Sequence, residues 1–219
     1  MIDLSKYRIV DLSWELIPGE RKNDGEYRPG TPWVGRSIEL QEFTFMTARM
    51  HFLQAQTHLG THCESPYKYH DGPDIAGTDL RSYLGEAAVC DFSSKGADES
   101  ITAEDFAAAG VRKGDIVLVR TGSEIDAPRP VMTVEAVDWL MEQEMPLLAS
   151  GGNVLYGPDV EGHLDAERKL LAKGVALVDG LYRLDQLTKP RVFFMALPLR
   201  IQRTTAAWTR AIALEEIDG

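Results

Sequence analysis

Five histidines occur in the 219 residues, and four of them (His51, His58, His62 and His70) fall in one twenty-residue window, where even scattering would leave most such windows with none. Inside it runs His58-Leu59-Gly60-Thr61-His62-Cys63-Glu64-Ser65-Pro66. His58, His62 and Glu64 form a nitrogen, nitrogen, oxygen donor set of the kind that holds Zn²⁺ or Mn²⁺. His62 and Glu64 are two residues apart, so in an extended segment both side chains leave the same face. Gly60 lets the chain bend so that His58 can reach the same point, and Pro66 stiffens the exit. The competing reading is a polar strand and turn whose imidazoles only hydrogen-bond. Two imidazoles and a carboxylate within seven residues, around a glycine, favour a metal.

Such a ribbon needs a scaffold, and the rest of the chain reads as α/β. Residues 8–12 and 87–92 suggest strands, 37–57 alternates imperfectly as strands do, and 79–84 suggests a short helix. The stretch from Pro18 to Pro32, rich in glycine, proline and charge, reads as a surface loop or arm. Thr102 and Asp105 have the spacing of a capping box, with Gly110 placed as the helix stop. Ile116-Val117-Leu118-Val119 is apolar throughout and rich in β-branched residues, as in a buried strand. A helix from Thr133 carries Val137, Leu140 and Met141 on one face. Another spans roughly 165–173, ends at Gly174 and feeds a strand, Val175 to Val178, with Asp179 at its exit. The last clear strand is Val192 to Leu197. Helix-to-strand units of this kind imply helices packed on a mixed sheet.

The 24.3 kDa chain is one domain's length, read as a single unit over 1–219. A net charge of -11 and a pI near 4.9 argue against grip on nucleic-acid phosphates. There is no apolar run of spanning length and no basic-then-apolar leader, so the expectation is no membrane and a cytoplasmic location. Cys63 and Cys90 are then reduced thiols rather than a bridge.

The histidine segment resembles the signature of the metal-dependent cyclase family, which includes bacterial kynurenine formamidase and isatin hydrolase. The family pattern is His-x-Gly-Thr-His-x-Asp-x-Pro-x-His. The chain matches it at His58, Gly60, Thr61, His62 and Pro66, with Glu64 in place of the Asp and Lys68 in place of the last His. The resemblance extends to Val10-Asp11-Leu12-Ser13, to 114–122, to Leu197-Pro198-Leu199 and to Thr209-Arg210-Ala211. Where relatives carry Gly-Ser-Pro before that Arg, this chain has Ala206-Ala207-Trp208.

The resemblance implies a swivelling β/α/β-type fold, a homo-oligomer (dimer or tetramer), and one or two divalent ions per subunit, Zn or Mn. His58, His62 and Glu64 would form a first site. Glu64, Glu167 (where relatives have His) and Asp179 would form a second, all-oxygen site that prefers harder ions. It implies hydrolysis of an amide or lactone in a small, aromatic substrate by metal-activated water. The proton shuttle of the family falls on Lys68, with His70 as its alternate. Trp14, Trp33 and Phe52 are candidates to line the substrate pocket. The loss of the shuttle His keeps two other functions in view, an enolate-forming cyclase or lyase and a non-catalytic relative.

Overall fold

Short apolar runs with no alternation become the middle of the sheet, because strands covered on both faces have no polar side. The computed structural model describes residues 3–19, 38–69, 71–96, 99–122, 130–151, 156 and 160–217. Among these the elements in chain order are β1 (Tyr7–Asp11), β2 (Glu39–Phe45), β3 (Ala48–Gln54), β4 (His62–Glu64), β5 (Leu84–Phe92), β6 (Ser100–Ile101), α1 (Ala103–Ala108), β7 (Ile116–Thr121), β8 (Val131–Met132) and α2 (Val134–Glu142). They continue with β9 (Leu147–Ser150), α3 (Val160–Ala172), β10 (Ala176–Asp179), β11 (Arg191–Met195), β12 (Ala206–Trp208) and β13 (Ile212–Glu216). Nine strands form one curled mixed sheet in the order β1-β13-β11-β5-β7-β9-β10-β4-β12. The run β5-β7-β9-β10 is parallel, and the flanking pairs are antiparallel.

Alternate residues of each central strand feed two cores. Ile116 and Leu118 face one core with Val10, Cys63, Val178, Phe194 and Ala213. Val117 and Val119 face the other, which α1, α2 and α3 cover with Phe106, Val137, Leu140, Ala166, Leu170 and Leu171. The α1 cap forms as its spacing predicts: the Thr102 hydroxyl accepts from the Asp105 N–H, and the Asp105 carboxylate accepts from the Thr102 N–H. Gly110 follows with φ +81°.

Several boundaries differ from the sequence reading. The expected helix over 79–84 is a single 3₁₀ turn, Leu80–Tyr83, capped by Asp79. α3 starts at Val160, five residues before the expected start. β9, β12 and β13 are additional strands. Residues 37–57 do contain strands, but β2 and β3 form a separate hairpin with exposed side chains. Phe52 stacks there on Phe43 at 4.7 Å and is 64% exposed. Most of the expected arm over 18–32, together with Trp33, lies outside the described residues.

One buried carboxylate fastens the far end of the sheet. Glu215, on β13, accepts from Arg8 Nη2, from Thr188 Oγ1 and N–H, and from Lys189 N–H at 2.7–3.2 Å. Burial opposes its ionisation, but these donors outweigh burial and hold its pKa below the ordinary 4.5. Glu215→Ala removes the one acceptor these four donors share, so urea unfolding is expected to show a loss of about 3 kcal/mol. A depressed acid contributes its full stability above the ordinary pKa and loses it as pH falls through the native value. The variant's stability is therefore expected to decline less steeply below pH 4.5 than that of the parent.

Candidate metal centre

The ribbon folds as its residue types require. Gly60 sits at φ +62°, where a side chain is strained, and turns the chain between His58 and β4. A second glycine completes the bend. Gly180, at φ +70°, lets β10 pass so close that an added Cβ would stand 2.5 Å from the Gly60 carbonyl oxygen. β4 is only three residues long, but it is held on both sides, by β10 and by β12. In antiparallel register His62 lies opposite Asp179, and Glu64 opposite Leu177. Leu177 belongs to the helix-covered core, so His62, Glu64 and Asp179 share that side of the sheet. Cys63 points the other way, is fully buried and donates to the Ala196 carbonyl at 3.1 Å. Burial pushes its thiol well above the ordinary range, which disfavours the thiolate a nucleophile needs.

The three expected first-site residues converge. His58 Nδ1 lies 2.8 Å and His62 Nε2 3.5 Å from Glu64 Oε1. A donor atom from each residue falls within 4.8 Å of the others. Each imidazole has a partner for its outer nitrogen. His62 Nδ1 stands 2.8 Å from the Gly60 carbonyl, which can only accept, so this nitrogen carries a proton and Nε2 is the one that faces Glu64. His58 Nε2 stands 3.0 Å from Thr205 Oγ1, so Nδ1 is the nitrogen that faces Glu64. Metal-bound histidines are held in this way by a second bond. Two imidazole nitrogens and one carboxylate oxygen converging on one point fit a divalent ion, which would take the place of the protons between them.

Glu64 is 1% exposed. Burial would raise its pKa, but hydrogen bonds from His58 and His62 and the charge of Lys68 bring it well below the ordinary range. His62 is pulled down by burial and, more strongly, up by Glu64 and Asp179, for a net rise. Asp179 is pushed up to about 7 by burial and by the Glu64 charge.

The expected second cluster also comes together, since Glu64, Glu167 and Asp179 each place an oxygen within 4.8 Å of the others. Glu167 reaches the sheet from the core-facing side of α3. Lys68, on the 3₁₀ turn Pro66–Lys68 that follows β4, enters the same space. Its Nζ donates to Glu64 Oε1 and Oε2 at 3.0 and 2.9 Å, and to Glu167 Oε1 and Oε2 at 3.0 and 2.9 Å. Burial favours the neutral amine, but Glu64 and Glu167 outweigh it and hold the ammonium above its ordinary pKa. A general base needs the opposite shift. The shuttle role expected of Lys68 therefore meets a side chain committed to charge neutralisation. His70, the alternate, lies outside the described residues.

Three further residues serve the site. Tyr69 Oη donates to Glu167 Oε2 at 2.6 Å. His163 Nε2 lies 3.9 Å from Glu167 Oε1, one helical turn away, a spacing legible in the sequence. Thr205 precedes β12 and is 147 residues from His58, so no local pattern could reveal it. Of the expected pocket aromatics, Trp14 lies against Tyr182 at 5.6 Å, in a cavity of about 740 Å³ with Asp11, Ser13, Arg183 and Arg210.

The chain's similarity to known proteins follows this geometry. The model of the family described as Cyclase matches residues 10–151, which include the His58, His62 and Glu64 ribbon and stop short of Glu167 and Asp179. A protein of Erythrobacter litoralis named kynurenine formamidase is 30% identical, over 98% of this chain and 97% of its own length. Isatin hydrolase A from Labrenzia aggregata, solved with benzyl benzoate bound, superposes with a TM-score of 0.80 at 21% identity, covering 97% of this chain and 95% of that one. A structure described as a potential metal-dependent hydrolase with cyclase activity covers 96% of this chain and 100% of its own, with a TM-score of 0.75 at 19% identity. The two solved structures share the fold of this chain.

Proposed function

The chain belongs to the Cyclase family, and from that premise we propose that it is a metal-dependent hydrolase of an amide or lactone bond in a small, aromatic substrate. One observation carries the reading: the inner nitrogens of His58 and His62 converge on Glu64 Oε1 while their outer nitrogens are held by Gly60 and Thr205. A bound Zn²⁺ or Mn²⁺ supplies Lewis-acid polarisation of a carbonyl and a water acidified towards neutrality. The protein supplies the rest. Gly60 and Thr205 fix the ring orientations, so little rearrangement is needed when an ion or substrate arrives. Burial of His62 and Glu64 keeps bulk water from competing. With Lys68 tied to two carboxylates, proton transfer to the leaving nitrogen or oxygen falls to His70. The whole chain acts as one catalytic domain, in a cytoplasmic homo-oligomer. The two free, buried thiols support a reducing compartment, and no described helix is long and apolar enough to cross a membrane.

The test is a panel of N-formyl aromatic amines, isatin-type lactams and lactones, offered to protein loaded with Zn²⁺ or Mn²⁺. Turnover of at least one class is expected, lost on chelation and regained when the ion is restored. Ion-loaded protein that binds these compounds and hydrolyses none would dismiss the reading.

A further inference from the structure

We propose that the site takes one divalent ion per chain, because the Lys68 ammonium occupies the place between Glu64 and Glu167 where a second ion would sit. This rests on the hydrolase reading above and concerns the number of ions that reading requires.

The geometry is that of a cation held by two carboxylates. Nζ lies 2.9–3.0 Å from all four oxygens of Glu64 and Glu167. A divalent ion on the same oxygens would stand roughly 2.0–2.6 Å from them. The two positions therefore nearly coincide, and two like charges cannot share them. The ammonium is also delivered by a short, fixed tether. Lys68 is four residues beyond Glu64, on a turn closed by its own N–H to the Ser65 carbonyl at 3.1 Å and by the Tyr69 N–H to Pro66 at 3.2 Å. The Tyr69 hydroxyl then pins Glu167 at 2.6 Å. An internal cation on such a tether competes with a dissolved ion at a high effective concentration.

The exchange changes what the second position can do. Three buried or partly buried carboxylates converge here and need positive charge to stay together. Lysine supplies that charge. An ammonium has only three N–H donors, and four acceptor oxygens already surround it, so none is left to polarise a substrate carbonyl. It has no open coordination position either. Glu64 then bridges one ion position and one ammonium, and all Lewis-acid chemistry falls to the His58, His62 and Glu64 side.

Native mass spectrometry and elemental analysis of protein saturated with Zn²⁺ or Mn²⁺ and freed of excess count the ions directly. One per chain is expected for the parent and two for Lys68→Ala. Two in the parent overturns the proposal and leaves the hydrolase reading standing; none overturns both. One in a folded Lys68→Ala shows that Lys68 is not what excludes the second ion, and overturns the proposal. Should that variant fail to fold, anomalous diffraction from Mn²⁺-loaded parent crystals decides. A single peak among His58, His62 and Glu64 is expected, and a peak between Glu64 and Glu167 with Lys68 displaced overturns the proposal.

Discussion

Replacing His62 with alanine is expected to weaken divalent-ion binding at least about a hundred-fold, since loss of a mere supporting partner costs 10–100-fold. Turnover should fall with it. His62 contributes one of two imidazole nitrogens, and its orientation is set by the Gly60 carbonyl, so no neighbouring residue can replace it. His51→Ala is the matched control. His51 belongs to the same sequence cluster but sits on the exposed β2–β3 hairpin, 3.6 Å from Glu42, and its loss should change neither affinity nor rate. The measurement is calorimetric titration with Zn²⁺ or Mn²⁺, read across pH. Glu64 and Asp179 outweigh burial and raise the His62 pKa, so its proton towards Glu64 is held more tightly than in a free imidazole, and an ion must displace it. Binding therefore releases protons, and affinity should rise with pH through the neutral range. An affinity indifferent both to pH and to His62→Ala would mean the ion binds elsewhere.

The contrast between His62 and His51 also shows what the sequence makes legible. The approach of His58, His62 and Glu64 is nearly local: a period-two ribbon, a glycine at φ +62° and seven residues of chain are enough to predict it. The α1 cap and the apolar run of β7 are local in the same sense. What escapes is whatever depends on pairing over long separations. β12 is Ala206-Ala207-Trp208, with little strand propensity of its own, and it becomes a strand because β4 offers an edge. The true start of α3 is obscured by Gly162, a weak helix former, although Glu161 stands in its first turn. Lys68 is instructive in both respects. Its i, i+4 spacing from Glu64 is visible in the sequence, but its second partner, Glu167, lies 99 residues away. Seen alone, Lys68 reads as a replacement for a histidine shuttle. Seen between two carboxylates, it is a counter-charge.

Glu64→Ala is expected to be the most destabilising single change at the site, at about 4 kcal/mol. Glu64 is the acceptor shared by His58, His62 and Lys68, and it is 1% exposed. Removing it leaves a cavity and strips the ammonium of half its partners. For a chain of this size the thermal midpoint should fall by roughly 10 °C. Glu64→Gln separates charge from shape. The amide fills the same volume, but its NH₂ must face either the Lys68 ammonium or an imidazole, so it should recover little of the loss. Restored stability in Glu64→Gln would show that packing, not charge, is what Glu64 contributes. The double variant Glu64→Ala/Lys68→Ala completes the argument. Lys68→Ala alone leaves Glu64, Glu167 and Asp179 to repel one another, whereas after Glu64→Ala one of those charges is already gone. The two losses should therefore add to less than their sum, by about 1–3 kcal/mol in denaturant titrations. Strict additivity would mean that the Glu64–Lys68 contact carries no coupling, and that lysine here is a bystander rather than the cation that holds the carboxylates together.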